Sequence, residues 1–243
     1  MKIKRLFFNI FLSVLFNSFA YALPNEFVYL DQIDPTIIQD LRYATAYNFV
    51  GRQIDGYESG RCILTKLAAQ HLHEVQAFLL NKGYSLKVYD CYRPTRAVDD
   101  FVSWSKDQSD QGMKQLYYPR INKKDVFKLG YVALHSGHSR GSTIDLTLVS
   151  MNKQKKSYPP QSCLKPSIAM RNGYELNMGS SYDCLDPISH VDSQEISQSE
   201  KRNRLWLQSI MIRHGFNPYD KEWWHFTLAS EPYMDQYFDF PVA

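Results

Sequence analysis

The segment from Leu134 to Leu148, LHSGHSRGSTIDLTL, places side chains that could bind a metal at the start of an alternating apolar pattern. Asp145 lies on the polar face of this predicted strand. If the strand is central, the carboxylate needs a partner, because a buried unpaired charge is prohibitively costly. A zinc ion is one such partner, and an arginine or a backbone amine is the alternative. His138 precedes the strand, and Gly137 and Gly141 allow the chain to bend so that the imidazole can meet the carboxylate.

A catalytic zinc site usually takes three protein ligands and leaves one position open. The segment EWWH offers His225 as the third ligand, with Glu222 three residues earlier. On a regular strand, residues three apart point to opposite faces, so Glu222 must lie in the preceding turn or on a bulge to reach the same site. Spacing alone leaves a metal site and a chance arrangement both open, since each of these short patterns is common.

The elements that would carry these residues do not alternate regularly along the chain. Two segments have the apolar spacing of amphipathic helices, KLAAQHLHEVQAFLLNKG (66–83) and SEKRNRLWLQSIMIRHGF (199–216). RPTRAVDDFVSWSKD (93–107) is typical of a loop entering a helix, whereas strand patterns occur in YSLKVYD (84–90), STIDLTL (142–148) and KEWWHFTL (221–228). Since these are not regular βαβ units, we predict an α+β fold: a single domain with a central, mainly antiparallel sheet flanked by helices.

Three histidines of the predicted helices are not expected to bind metal. His71 and His73 are two residues apart and therefore do not face each other. His214 falls in the last turn of the second helix, where a cation suits the helix dipole. The polar, proline-containing segment 151–177 is predicted to be an extra surface loop or lid.

The amino-terminal segment MKIKRLFFNIFLSVLFNSFAYALPNE has a basic start, a largely apolar run and the small-residue pattern Ala20-Tyr21-Ala22. This is the pattern of a secretory signal peptide, and the apolar run is short for a membrane span. We therefore predict a signal peptide over residues 1–22, with an uncleaved anchor as the alternative. The catalytic domain would then be 23–243, in the periplasm or secreted, with no stable membrane insertion after cleavage.

Removing residues 1–22 takes away three basic and no acidic side chains, so the formal net charge falls from +3 to zero. Nothing in this balance indicates a nucleic-acid-binding surface. The remaining chain is rich in aromatic residues and long enough for one compact core. Its four cysteines are an even number in a predicted exported chain, which permits disulfides in three possible pairings.

Several motifs together resemble the VanX-type D-alanyl-D-alanine dipeptidases of the zinc D-Ala-D-Ala peptidase group. They are SGHSRGSTIDLTL, EWWHF, YDCYRP, DLRYATAYNFVG, GYVALHSGHSRG, NMGSSYD and the ending EPYMDQYFDFPVA, and they cover nearly all of the predicted mature chain in order. The resemblance implies the hedgehog/DD-peptidase-like fold of that group, one Zn²⁺ per chain, and hydrolysis of D-Ala-D-Ala or a similar D-configured dipeptide in peptidoglycan-related turnover. It leaves the oligomeric state open.

Three other interpretations compete with this one. The simplest is a secreted structural domain whose motifs arise by chance, which the ordered match disfavours. A D,D- or L,D-carboxypeptidase of the same fold would act on longer muropeptides, and an open cleft at the amine end of the site would favour it. A zinc-binding but non-catalytic cell-wall recognition module would not need the base and the arginine that the motifs contain. Nutrient recovery and wall turnover fit an exported enzyme better than glycopeptide resistance does.

The resemblance also implies roles for individual residues. The zinc ligands of that family match His138, Asp145 and His225, and its general base matches Glu222. The arginine of its D-x-Y-R-P motif matches Arg93, which would stabilise the charge of the tetrahedral oxyanion. On the residues alone, a salt bridge from this arginine to a nearby carboxylate such as Asp90 remains the alternative.

A dipeptidase must also recognise the free amine of its substrate. The carboxylate that pairs with this ammonium in the family matches Asp183, and Tyr43 matches a tyrosine near the same end. Ser136 matches a hydroxyl beside the zinc site, although a serine or tyrosine could equally pack or satisfy backbone groups. His135 lies three residues before His138, at a position that has no metal role in the family.

The cysteines are departures from the family pattern. Cys91 replaces a glycine of the D-x-Y-R-P motif, Cys62 and Cys184 stand where apolar residues are expected, and Cys163 lies in the extra loop. Their joint appearance predicts the disulfides Cys62–Cys91 and Cys163–Cys184. Four buried, reduced cysteines are the alternative.

Overall fold

The computed structural model of the protein describes residues 23–154 and 161–243. The predicted signal peptide, 1–22, and the segment 155–160 of the predicted lid lie outside the described residues. The strands are β1 Phe27–Tyr29, β2 Ile38–Gln39, β3 Ile63–Thr65, β4 Tyr84–Asp90, β5 Thr143–Ser150, β6 Phe216–Tyr219 and β7 Glu222–Leu228. The α-helices are α1 Leu30–Ile33, α2 Lys66–Leu80, α3 Thr95–Lys106, α4 Lys114–Tyr117, α5 Ile168–Arg171 and α6 Gln198–Arg213. In the described residues, 3₁₀ turns span Arg42–Ala44, Lys123–Asp125, Gly137–Arg140 and Pro187–Ser189.

The central sheet has five strands in the order β2-β4-β5-β7-β6. The short β2 runs parallel to β4, and every other neighbouring pair is antiparallel. A separate antiparallel pair joins β1 to β3. The predicted α+β class with a mainly antiparallel sheet is therefore confirmed.

The middle strand β5 is buried on both faces. Ile144, Leu146 and Leu148 pack into the main hydrophobic core, as their alternation predicts. The polar face is also covered, since Asp145 is 2% exposed. Burial of a polar face requires partners for each polar atom, and this face of β5 carries Asp145, one of the predicted metal ligands.

Helix α2 packs on the sheet through Leu72, Val75 and Leu79, which are all fully buried. Its first turn is capped by Thr65, whose side chain accepts a hydrogen bond from the Ala68 amide. Leu67, which also falls in the predicted apolar pattern, is instead 37% exposed on the helix surface. The helix ends at Leu80, and Gly83 follows with a left-handed φ of +78°.

Helix α6 packs against β6 and β7 at one edge of the sheet, and it begins with a capping box. The Ser197 side chain accepts from the Glu200 amide, while the Glu200 carboxylate accepts from the Ser197 amide. The helix ends at Arg213, and Gly215 follows with a left-handed φ of +85°. Glycine adopts this conformation at no steric cost, so the chain can reverse into β6.

A second, aromatic core lies under α3 and includes Phe49, Phe101 and Trp104. This core supports the wall of the site described below, because Phe49 and Phe101 also line its cavity. Among the helices of residues 23–154 and 161–243, none has the length and apolar content that crossing a bilayer requires.

Candidate metal centre and substrate cavity

Two of the three predicted metal ligands lie opposite each other on neighbouring strands. Asp145 of β5 is paired in register with His225 of β7. His138 lies in the 3₁₀ turn that precedes β5. Asp145 Oδ1 is 3.3 Å from His138 Nε2 and 3.1 Å from His225 Nδ1. One ligand atom from each residue lies within 4.8 Å of the other two, so the fold brings all three together.

The backbone sets the direction of the His138 ring. Its Nδ1 donates a hydrogen bond to the Cys91 carbonyl at 2.7 Å, which leaves Nε2 to face Asp145. The turn that carries His138 is capped by Ser136, whose Oγ accepts from the His138 amide, and ends at Gly141 with φ +81°. A hydrogen bond at one ring nitrogen is the usual way in which proteins orient a metal-binding histidine.

The inward atoms of this group lack protein partners. His138 Nε2 and Asp145 Oδ1 are buried, and neither makes a hydrogen bond within the described part of the chain. Buried polar atoms of this kind are rare unless an ion or ligand satisfies them. Two imidazoles and one carboxylate also form a donor set that suits zinc with one position left open. The residues present therefore fit a catalytic metal ion.

Glu222 reaches the same site despite its spacing from His225. It is the first residue of β7, and the pairing of β6 with β7 shifts at Pro218 and Tyr219. The irregularity brings Glu222 Oε2 to 3.4 Å from His225 Nδ1. The sequence-based prediction that Glu222 lies at a turn or bulge matches this geometry.

The pKa values of the two acidic groups nearest to the histidines are shifted in opposite directions. Burial, followed by the nearby charge of Asp145, raises the pKa of Glu222 well above its usual value. Burial also opposes ionisation of Asp145, but His138 and His225 outweigh it and hold the pKa of Asp145 below its usual value. One carboxylate is thus held as an anion, while the other retains a proton readily. An acid–base role suits Glu222, and a ligand role suits Asp145.

Arg93 makes the salt bridge that its sequence position allowed and also faces the cavity. Its Nε donates to Asp90 Oδ2 at 3.0 Å, and a terminal nitrogen lies 3.9 Å from Asp145 Oδ2. Tyr57 donates to the other oxygen of Asp90 at 2.6 Å, so both oxygens of this carboxylate are held. Arg93 is 8% exposed and lines the cavity. The salt bridge therefore orients the guanidinium, which still lines the cavity.

Asp183 has a backbone conformation that is uncommon for a residue with a side chain. Its φ is +60°, in the left-handed region. Tyr43 donates a hydrogen bond to Asp183 Oδ1 at 3.1 Å, whereas the buried Oδ2 has no partner in residues 23–154 and 161–243. Burial and the charge of Asp145 raise the pKa of Asp183 to about 8. A cationic ligand group would satisfy Oδ2 and stabilise the ionised carboxylate.

These side chains surround one cavity of about 250 Å³, smaller than the roughly 300–1,000 Å³ of most ligand pockets. The cavity therefore suits a small ligand. Its lining residues are Tyr43, Phe49, Arg93, Phe101, Gly130, Tyr131, Val132, Ala133, Ser136, Gly137, His138, Asp145, Asp183, Tyr219, Glu222, Trp224 and His225. All eight of the predicted catalytic, metal-binding and substrate-binding residues are among them.

The cysteines form the two pairs that the sequence predicts, Cys62–Cys91 and Cys163–Cys184. The first pair adjoins the loop that carries Arg93. In the second pair, Cys184 directly follows Asp183. Each bond therefore ties a functional loop to a distant part of the chain.

The remaining histidines lie outside the metal-binding group. His71 Nδ1 contacts the backbone carbonyl of His214, and His73 Nδ1 lies 2.8 Å from Asp34. His135 is exposed, and its ring contacts Tyr237.

Sequence reasoning assigned no role to two residues that touch the site. Tyr57 donates to Asp90 Oδ1 at 2.6 Å, and Tyr182 donates to Asp145 Oδ2 at 3.1 Å. Tyr182 lies in the motif NMGSSYD, next to Asp183, and its position in this motif was the available signal.

Comparison with known proteins relates the whole chain to one family. A family profile described as D-ala-D-ala dipeptidase, of the M15 peptidases, matches residues 24–243. The chain is 40% identical over 218 residues to a D-alanyl-D-alanine dipeptidase of Streptomyces coelicolor, covering 90% of this chain and 98% of that protein. It is 40% identical to the protein of that name from Enterococcus faecalis, and the match covers 90% of this chain and 99% of that protein. The Escherichia coli protein of that name is 31% identical, and the match covers 88% of this chain and 91% of that protein.

Proposed function

The chain belongs to the D-Ala-D-Ala dipeptidase family of the M15 metallopeptidases, and on this premise we propose that it is a zinc dipeptidase that hydrolyses D-Ala-D-Ala or a closely similar D-configured dipeptide. The observation that carries the proposal is the convergence of His138, Asp145 and His225, whose ligand atoms lie within 4.8 Å of one another. Their unsatisfied inward atoms support a bound ion. Nitrogen and carboxylate donors with an open position favour zinc as that ion.

When bound, zinc supplies Lewis acidity at the scissile carbonyl and makes water easier to deprotonate. We assign the proton transfers to Glu222, which accepts a proton from the attacking water and passes it to the departing amine. Its raised pKa supports this role, because the side chain can hold the proton between the two transfers. Arg93 remains charged beside Asp145 and is placed to stabilise negative charge on the reacting carbonyl oxygen.

We assign recognition of the substrate ammonium to Asp183, supported by Tyr43. The Tyr43 hydroxyl occupies one oxygen of the carboxylate, so the unsatisfied Oδ2 is the oxygen left for a ligand. Asp183 is 4% exposed, and such a closed position supports a substrate with a free amine over one that continues as a longer peptide. Ser136 would contact the substrate from the metal side, although its hydroxyl also caps the His138 turn.

We further propose that the protein acts outside the cytoplasm, with the signal peptide removed from residues 1–22. The two disulfides support an oxidising compartment. An exported dipeptidase would act in nutrient recovery or wall turnover, on dipeptides released from peptidoglycan.

The proposal is tested with zinc-loaded protein incubated with four substrates: D-Ala-D-Ala, L-Ala-L-Ala, N-acetyl-D-Ala-D-Ala and a pentapeptide ending in D-Ala-D-Ala. Release of free alanine is measured for each. We expect rapid cleavage of the free D,D-dipeptide and poor cleavage of the acetylated one, because acetylation removes the ammonium that Asp183 would bind. An Asp183→Asn variant should lose most of this discrimination. Equal cleavage of the acetylated dipeptide or the pentapeptide by the unmodified protein would instead establish the carboxypeptidase activity.

A further inference from the structure

Tyr182 connects the metal-binding group with the amine end of the cavity. Its side chain is 4% exposed, and its hydroxyl donates to Asp145 Oδ2 at 3.1 Å. The ring stacks on Tyr89 with centroids 4.3 Å apart and planes inclined by 11°. It also meets the Trp224 ring edge-on at 5.4 Å. These two aromatic contacts restrict the ring and therefore the position of its hydroxyl.

The two oxygens of Asp145 have different surroundings. Oδ1 faces His138 and His225 and makes no hydrogen bond among the residues that the structure describes. Oδ2 accepts from Tyr182 and lies 3.9 Å from the Arg93 guanidinium. A carboxylate held at one oxygen presents the other in a fixed direction, as the partners of metal ligands generally do.

The Tyr182 hydroxyl can act only as a donor in this position. Its partner, Asp145 Oδ2, is a carboxylate oxygen, which only accepts hydrogen bonds. The phenol therefore directs its proton at the Asp145 carboxylate. The Tyr89 ring has the same shape and belongs to the same stack, but its hydroxyl interacts with Glu175, a residue that does not line the cavity.

We infer that Tyr182 is a further positioning residue, whose hydroxyl orients the Asp145 carboxylate so that Oδ1 faces the metal. The inference rests on the proposed metal centre and adds a residue that touches neither metal nor substrate. Tyr182 immediately precedes Asp183, so one short turn would orient both a metal ligand and the carboxylate that binds the substrate amine.

The test compares Tyr182→Phe with Tyr89→Phe. Each substitution removes one hydroxyl and keeps the aromatic stack. The zinc dissociation constant of each protein is measured by competition with a chromogenic chelator, and the melting temperature of each metal-free protein is measured alongside. We expect Tyr182→Phe to bind zinc about 10–100-fold more weakly, which is the usual effect of removing a partner of a metal ligand. Tyr89→Phe should keep the zinc affinity of the unmodified protein.

A second readout is the visible absorption of the Co²⁺-substituted proteins, which reports ligand arrangement directly. It should change in Tyr182→Phe and not in Tyr89→Phe. Equal zinc affinity and an unchanged Co²⁺ spectrum in Tyr182→Phe would overturn the inference, as would equal losses of affinity in both variants. If the unmodified protein bound no zinc, the proposed function itself would fail, so the two failures are distinguishable.

Discussion

The disulfide Cys163–Cys184 offers the sharpest test of how the fold supports the site. The bond joins residues separated by 21 positions. The Cys163 amide donates to the Leu116 carbonyl at 2.9 Å, and the Ser181 amide donates to the Cys163 carbonyl at 3.1 Å. Cys163 therefore links α4 to the turn that carries Asp183. We predict that the double substitution Cys163→Ala/Cys184→Ala lowers both stability and substrate affinity.

The magnitude follows from the loop that the bond closes. In the chain-entropy model, a cross-link over about 21 residues removes roughly 11 cal/mol/K from the unfolded state, which corresponds to about 3 kcal/mol at 25 °C. The effect on binding comes from the left-handed backbone of Asp183, at φ +60°. A conformation of this kind costs about 1–3 kcal/mol and persists only where the surroundings enforce it. Releasing about 1.4 kcal/mol of that constraint would raise KM about tenfold.

Two assays separate these effects. Urea unfolding followed by tryptophan fluorescence gives the free energy of unfolding, since Trp223 and Trp224 are both buried. Steady-state kinetics with the free dipeptide give KM and kcat. The matched comparison is Cys62→Ala/Cys91→Ala, which removes a bond over 29 positions beside the His138 partner carbonyl. That variant should lose a similar free energy of unfolding. Its kinetic effect, however, should be a lower kcat or a weaker metal affinity.

Two results would refute this reasoning. A Cys163→Ala/Cys184→Ala variant that unfolds at the same urea concentration with the same slope would show that the bond adds no stability. A variant that is less stable but keeps its KM would show that Asp183 holds its conformation without the disulfide. Non-reducing peptide mapping of the unmodified protein establishes that both bonds are present before either comparison is made.

Three further predictions concern the metal, the base and the core. Glu222→Gln should retain zinc but lose about 10²–10⁴-fold in kcat, because the base is not a ligand; a near-normal kcat would assign the proton transfers elsewhere. His225→Ala should lose zinc in metal analysis, whereas His214→Ala, which follows α6 outside the metal-binding group, should keep it; full occupancy in both would remove the ligand assignment. Leu146→Ala should lower the free energy of unfolding by about 2–5 kcal/mol in urea titrations, because Leu146 is fully buried in the central strand. A loss well below this range would show that the core relaxes to fill the space left by the deleted side chain.

The strands and their faces could be predicted from periodicity. YSLKVYD is β4 over the predicted residues, and the apolar face of STIDLTL enters the main core. The alternation did not reveal that the polar face of β5 is buried as well. It also could not give the register that places Asp145 opposite His225, because register depends on hairpin and bulge geometry far from both residues.

The grouping of His138, Asp145 and His225 could be predicted from the sequence, but the contacts that orient these side chains could not. His138 is oriented by the Cys91 carbonyl, and every residue has a carbonyl, so no sequence pattern identifies that partner. The sequence also does not predict the left-handed backbone of Asp183, since aspartate occurs in many conformations. The lid predicted at 151–177 includes α5, and Val149 pairs with Glu175. Its closing function stays a prediction.

The charges that line the cavity bear on what must enter it. Arg93 is paired with Asp90 and also lies near Asp145, so its single charge is shared while the carboxylates of Asp145, Asp183 and Glu222 face one small enclosed space. Two of these carboxylates have raised pKa values, because burial and mutual repulsion disfavour ionising all three. A divalent cation and a substrate ammonium would supply three positive charges at the two ends of this cavity. Metal and dipeptide would then stabilise the same group of anions, and removal of the metal should weaken binding of the amine as well as turnover, because Asp183 and Glu222 would retain protons in its absence.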